Sequence, residues 1–229
     1  MGRLCGNQCR LLSTRAPSVN QVLRIAIVGS GPAALYAAAE LAKQPNLPIQ
    51  VNMIDRLPCI GGLVRAGVAP DHSDRRLVID AYEKLARSAG RFEFFGNIEV
   101  GNDISHDELL AHHHGVIYAT GAAGSQPLDV PGATLNGCHA SNEFVGWYTG
   151  HPDYADLDVD LSSKRAVLLG NGNVELDIAL LLLKSDNEVA ITDTADHAHA
   201  ALRESNVTEV IGLGRRGPLQ ASFTHPELL

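Results

Sequence analysis

Leu23-Arg24-Ile25-Ala26-Ile27-Val28 runs directly into Gly29-Ser30-Gly31-Pro32-Ala33-Ala34, and then into the helix-forming stretch LYAAAELAKQ. The short apolar run reads as a buried parallel strand, and strand, glycine turn and helix follow in the order a dinucleotide-binding unit requires. Gly29 permits the sharp turn, Gly31 lets a pyrophosphate approach the backbone, and Ala34 keeps the helix close to the sheet. The phosphates of a bound nucleotide rest on the positive end of such a helix. Ile49–Ile54 reads as the next strand and ends in Asp55, whose carboxylate can accept hydrogen bonds from ribose hydroxyls. An acid in that place favours a ribose without a 2′-phosphate, hence FAD or NAD rather than NADP.

The pattern occurs a second time. Arg165–Leu169 is another short apolar strand, followed by Gly170-Asn171-Gly172-Asn173-Val174-Glu175 and a leucine-rich helix. The next strand, Thr208–Leu213, ends not in an acid but in Gly214-Arg215-Arg216. Paired guanidiniums can clamp a 2′-phosphate in bidentate fashion, which selects NADP(H). Two phosphate turns imply two cofactors, the organisation of a flavin enzyme fed by a nicotinamide cofactor.

Composition sets the outer bounds. With 229 residues and about 150 per domain as a guide, the chain has room for one large or two small domains. Its net charge of −8 is uneven: Arg3, Arg10, Arg15 and Arg24 precede the first acid, Glu40. Removing those four arginines from the 18 basic residues leaves 14 against 26 acidic ones, a net −12. So acidic a body is a poor nucleic-acid binder. No apolar run approaches the roughly 20 residues of a membrane span. Residues 1–23 combine spaced arginines, Ser13, Thr14 and Ser18 with no acid, the composition of an organellar transit peptide.

Three tempting features carry less. Gly61-Gly62 is shared with dithiol-using flavoproteins, but Cys59 has no second thiol near it in sequence, so disulfide reduction is not expected and Cys59 reads as a small buried apolar residue. His112-His113-His114 cannot all face one metal from a regular element and reads as an exposed helix end before the strand Gly115–Ala119. Residues 151–164 read as an acidic loop, and 185–207 as containing one mixed polar helix.

From Gly62-Leu63-Val64-Arg65-Ala66-Gly67-Val68-Ala69-Pro70-Asp71-His72 onward the chain closely resembles the adrenodoxin reductase family, NADPH-dependent flavoproteins that reduce ferredoxins. The resemblance continues through Phe95–Gly101, Phe144–Tyr148 and Gly170–Val174 and ends at Gly214–Gln220; together the blocks span residues 25–229, nearly the whole chain. It implies an α/β fold of two Rossmann-like dinucleotide-binding domains of glutathione-reductase-like type, the NADP domain inserted into the FAD domain. The expected boundaries are a mitochondrial transit peptide over 1–23, the first part of the FAD domain over 24–124, and an incomplete NADP domain over 125–229. The family continues well beyond the GRRGPLQ block, so the C-terminal part of each domain is expected to be missing.

The resemblance also implies site residues. Ala33 and Asp55 correspond to FAD contacts near pyrophosphate and ribose, Leu63 to a neighbour of the flavin, and Val100 to a backbone border of the adenine. Tyr118–Ala122 resembles the segment where the FAD domain hands over to the NADP domain. Gly29 and Gly31 join the FAD set, while Asn171, Gly172, Asn173, Val174, Arg215, Arg216 and Glu227 form the NADP(H) set. His72 and Asp177 match positions between the flavin and nicotinamide pockets, where a proton-carrying network can accompany hydride and electron transfer. Two positions depart from the family: Gly61 stands where a bulky aromatic is usual, and Glu175 where Ala is usual. A carboxylate at Glu175 must point away from the phosphates or weaken binding.

The expected function is that of a mitochondrial-matrix NADPH:ferredoxin oxidoreductase whose partner is an adrenodoxin-type 2Fe-2S ferredoxin. The expected cofactors are FAD and NADP(H), with no membrane span but peripheral association with the inner mitochondrial membrane. Two other readings stand beside it. One is a truncated, non-catalytic fragment or isoform that at most binds nucleotide. The other is a different flavoprotein, such as an amine oxidase or monooxygenase, against which the Arg215-Arg216 pair counts.

Overall fold

A computed structural model of the chain describes residues 22–44, 47–72, 78–80, 84, 91–122, 124–215, 217, 220 and 222–223. Backbone contacts divide it into two units, one within Met1–Ile60 and Ala81–Gly121, the other within Gly61–Asp80 and Ala122–Leu229. Residues 1–21 of the expected leader, together with Arg216 and Glu227, lie outside the described residues.

The first unit is built on a parallel sheet. Its strands are β1 (Leu23–Val28), β2 (Ile49–Ile54), β3 (Phe92–Phe95) and β4 (Gly115–Tyr118), in the spatial order β3-β2-β1-β4. β1 and β2 coincide with the runs that predict them; β1 buries its last three residues, and β2 buries Ile49, Val51 and Met53 in alternation with the half-buried Gln50 and Asn52. Their register pairs Val28 with Ile54, so the residue after each, Gly29 and Asp55, emerges at the same edge of the sheet. Helix α1 (Pro32–Ala42) joins them, with Pro32 in its first turn and Ala34, Leu35, Ala38 and Ala39 buried. Ala26, Val28 and Ile54 pack with Leu109 of helix α3 (His106–His112), while Ile27 and Met53 alternate to the other face.

Ser105 starts α3: its hydroxyl accepts from Glu108 N at 3.2 Å, and Ser105 N donates to Glu108 Oε2 at 2.8 Å. The histidines after this helix face different partners. His113 bonds Leu109 O through Nδ1 at 2.9 Å and the Asn52 amide through Nε2 at 3.0 Å, and His114 Nδ1 accepts from Arg24 N at 3.1 Å. Among the described residues, no group of three His, Cys, Asp or Glu side chains is placed to hold a metal.

In the second unit, parallel strands β5 (Arg165–Leu169) and β6 (Glu209–Leu213) flank the turn into helix α5 (Asn173–Leu183). The core joins Ile178, Leu181 and Leu182 of α5 to Phe144, Val145, Trp147 and Tyr148 of helix α4 (Ser141–Thr149), with Val189 and Ala198. The short helix α2 (Leu63–Ala66) belongs to this unit, and its following loop is tied down by an Asp71–Lys184 ion pair at 3.1 Å. The single helix expected within 185–207 is instead two, α6 (Asp186–Ala190) and α7 (Asp196–Arg203). The break falls where the Thr192 hydroxyl bonds Val189 O at 2.7 Å and meets Thr194 Oγ1 at 2.7 Å, offering the backbone a turn in place of another helical rung. Among the described residues no helix is long and apolar enough to cross a membrane.

Candidate functional site

Each unit carries one strand–glycine–helix turn, and the two turns share a backbone plan. The first glycine has positive φ (Gly29, +101°; Gly170, +154°). The second glycine is extended and opens an 11-residue helix (Gly31, φ −75°, ψ −176°; Gly172, φ −109°, ψ −178°). Gly29 is required twice over: an L side chain would be strained at that φ, and its Cβ would strike the carbonyl oxygen of Ala119 at the end of β4.

At the first turn no side chain among the described residues caps α1, and its first turn contains no acid. Ala33 lies exposed there. The helix therefore presents an open, positive N-terminus of the kind that receives phosphate oxygens. Asp55 is held beside it. Ser30 Oγ donates to Asp55 Oδ2 at 2.6 Å, and Leu57 N donates to Asp55 Oδ1 at 2.9 Å. A carboxylate has about four acceptor positions, so ribose hydroxyls can still be accepted. Val100 is half-buried, packed against the Ala26, Val28, Ile54 and Leu109 cluster, and its backbone bridges to Ile104. These residues fit FAD as a ligand: an uncapped helix, a glycine approach and an oriented acid.

Ser30 is the residue that the sequence pattern alone passes over. It is 1% exposed, its hydroxyl enclosed at the turn. Its signal was a hydroxyl set between the two glycines.

At the second turn the helix end is covered. Glu175, in the first turn of α5, reaches back so that its Oε2 accepts from Gly172 N at 2.9 Å. A Cβ on Gly170 would strike Glu175 Oε1, and one on Gly172 would lie 2.8 Å from Oε2. Of the two outcomes open to it, the carboxylate does not point away from the turn; it lies across it. Asn171 O accepts from Ser222 N at 2.9 Å and Ser222 Oγ at 3.0 Å, while its amide packs on Gly214. Asn173 begins α5 and Val174 is exposed. Arg215 is exposed just beyond the end of β6, where a guanidinium can meet a 2′-phosphate. The glycine plan and Arg215 suit NADP(H), whereas the seat of the pyrophosphate is taken by Glu175.

His72 and Asp177 both belong to the second unit. His72 ends a turn in which its N–H donates to Ala69 O at 3.0 Å, and Asp177 is half-buried on α5. Asp177 and Asp71, the neighbour of His72, approach the fully buried Tyr148. Burial first, and then these two carboxylates, push the Tyr148 phenol far above the ordinary tyrosine range. The Phe144–Tyr148 block thus supplies a neutral phenol near both acids. Leu63 is 72% exposed on α2. At Gly61, the space a side chain would need is filled by Ile79 Cδ1, 2.8 Å from where a Cβ would stand. Cys59 is only half-buried rather than enclosed, and both it and the exposed Cys138 are free thiols.

Comparison with known proteins places these turns in context. A family model for pyridine nucleotide-disulphide oxidoreductases matches residues 23–211. The chain is 50% identical over 209 residues to a probable ferredoxin/ferredoxin–NADP reductase of Mycobacterium bovis, covering 91% of this chain and 36% of that protein. It is 46% identical over 207 residues to the mitochondrial NADPH:adrenodoxin oxidoreductase of Arabidopsis thaliana, covering 90% of this chain and 42% of that one. Among solved structures it is similar to Mycobacterium tuberculosis FprA in complex with NADPH, with a TM-score of 0.88 and 47% identity, covering 91% of this chain and 47% of that one. The chain therefore spans less than half the length of these relatives.

Proposed function

The chain belongs to the pyridine nucleotide-disulphide oxidoreductase family, and from that premise we propose that it supplies the FAD and NADP(H) sites of an NADPH:ferredoxin oxidoreductase. The observation that carries the reading is the contrast between its two glycine turns: the first is accompanied by Asp55, fixed by Ser30, and the second by Arg215. An acid suits an unphosphorylated ribose and a guanidinium suits a 2′-phosphate, so the first turn takes FAD and the second NADP(H). The relatives named as ferredoxin–NADP reductase and NADPH-ferredoxin reductase support this assignment.

In this reading Gly29, Gly31 and Ala33 bring the α1 N-terminus to the FAD pyrophosphate, Asp55 orients the ribose, Val100 borders the adenine and Leu63 the flavin. Asn171, Gly172, Asn173 and Val174 form the second phosphate turn, with Arg215, Arg216 and Glu227 completing the NADP(H) set. His72 and Asp177 are the residues that hold and move the protons accompanying hydride and electron transfer. When bound, FAD supplies the conversion of a two-electron hydride donor into single electrons for an iron–sulfur acceptor.

The finer reading takes the partner to be an adrenodoxin-type 2Fe-2S ferredoxin and the compartment to be the mitochondrial matrix, with peripheral association at the inner membrane. The basic, acid-free leader and the name of the plant relative support it. The domain reading is FAD over 24–124 and NADP over 125–229. A second functional reading, nucleotide binding without electron transfer, is favoured by the Glu175 carboxylate on the second turn.

The test mixes the purified chain with FAD, NADPH and an adrenodoxin-type ferredoxin and follows ferredoxin reduction, with NADH as the comparison. NADPH-dependent reduction supports the proposed enzyme. Flavin binding without reduction supports the second reading. Fusion of residues 1–30 to a fluorescent protein tests the compartment, with mitochondrial signal expected and diffuse cytosolic signal contradicting it.

A further inference from the structure

The two turns share their backbone plan but not their occupancy. α1 begins with an uncapped helix end and no acid in its first turn. α5 begins with Glu175, whose Oε2 accepts from Gly172 N at 2.9 Å and whose Oε1 lies over Gly170. Those are the positions at which a dinucleotide pyrophosphate meets the glycines and the positive helix end.

We infer that Glu175 is a built-in competitor for the pyrophosphate of NADP(H), an internal anion that must swing off the Gly170–Gly172 turn before the nucleotide can seat. The inference rests on the reading of this turn as the NADP(H) site. Two physical terms act together. The carboxylate already satisfies the Gly172 N–H and the positive end of α5, so an incoming phosphate gains only the difference between itself and Glu175. If the carboxylate turns aside without leaving the pocket, its negative charge remains close to the pyrophosphate and repels it. Arg215, beyond the end of the neighbouring strand, is not involved in this competition, because it serves the 2′-phosphate at the other end of the adenosine.

The consequence is selective. Ligands carrying the pyrophosphate are penalised, and ligands carrying only the 2′-phosphate are not. Glu175→Gln keeps an oxygen able to accept from Gly172 N but removes the charge, and Glu175→Ala removes both. The experiment measures dissociation constants of NADP+ and adenosine 2′-monophosphate by calorimetry for the full chain and both variants, with a thermal melt of each. The expected result is that both variants bind NADP+ more tightly, by roughly fivefold or more, and bind adenosine 2′-monophosphate as the parent does. Glu175→Ala is expected to melt lower, since it loses its helix cap, and Glu175→Gln keeps the test readable if the alanine variant does not fold.

Equal NADP+ affinity in parent and variants overturns the inference and leaves the NADP(H) site standing. Equal tightening for both ligands also overturns it, since the effect would not be centred on the pyrophosphate. Absence of nucleotide binding in all three proteins overturns the reading of the turn itself, and the inference with it.

Discussion

The Ser30 hydroxyl donates to Asp55 Oδ2 at 2.6 Å, so the residue between the two glycines of the first turn fixes the acid at the end of the adjacent strand. The β1–β2 register, Val28 opposite Ile54, places both groups at one sheet edge. A hydrogen bond to a charged acceptor contributes more than a neutral one, and Ser30→Ala is expected to cost about 1–2 kcal/mol of stability. It also frees the Asp55 side chain to rotate, so FAD affinity falls several-fold in a fluorescence titration. Asp55→Asn weakens FAD binding further while leaving the fold intact by circular dichroism.

Two glycine substitutions separate backbone strain from close approach. Gly29 and Gly101 have similar φ values, +101° and +108°, but a Cβ on Gly29 would strike Ala119 O and one on Gly101 would meet nothing within 4 Å among the described residues. Gly101→Ala is expected to cost about 1–2 kcal/mol from strain alone. Gly29→Ala must also part β1 from the end of β4, and is expected to cost about 3 kcal/mol or more and to abolish flavin retention. Urea denaturation of the two variants measures the difference.

Leu109 is fully buried beneath Ala26, Val28 and Ile54. Leu109→Ala is expected to lose about 2–5 kcal/mol, with the spread set by how far α3 can settle onto the sheet. Chemical denaturation followed by circular dichroism checks it.

The capping boxes give a pH dependence with a definite sign. Hydrogen bonds from Ser105 and Ser185 lower the carboxyls of Glu108 and Glu188 below the ordinary 4.5. A carboxyl lowered in the folded state contributes stability above its unfolded value, and that contribution is lost as pH falls through the folded value. Urea midpoints measured from neutral pH into the acid range are expected to fall less steeply in a Glu108→Gln, Glu188→Gln double variant than in the parent. Tyr148 behaves in the opposite sense: its phenol is raised, so its contribution is present below the ordinary value of 10.0 and is lost as pH rises through the folded value. Tyr148→Phe is expected to reduce destabilisation at alkaline pH.

The strands were legible because each is a short run that stops at a glycine or at Asp55, so β1, β2 and β5 have the ends those runs imply, even though Val167 and Leu169 of β5 are exposed. The glycine positions were legible for a related reason: at Gly29 backbone geometry admits no side chain. What joins residues distant in sequence was not. Ser30 and Asp55 are 25 residues apart and meet only through strand register. The identity of Glu175 was visible as a departure, but its direction depends on side-chain rotation and on the Gly172 N–H that donates to it, which belong to the folded helix end. The Thr192–Thr194 break escaped because local hydroxyl bonds outweighed a weak helical preference.

The flavin absorbance of the purified, FAD-loaded chain during anaerobic addition of NADPH tests the central claim most directly, because it requires both turns to hold their nucleotides. The account predicts that the yellow absorbance is retained on gel filtration and bleached by NADPH far faster than by NADH. A chain that retains FAD but bleaches equally with both nucleotides, or one that never retains the yellow colour, would contradict it.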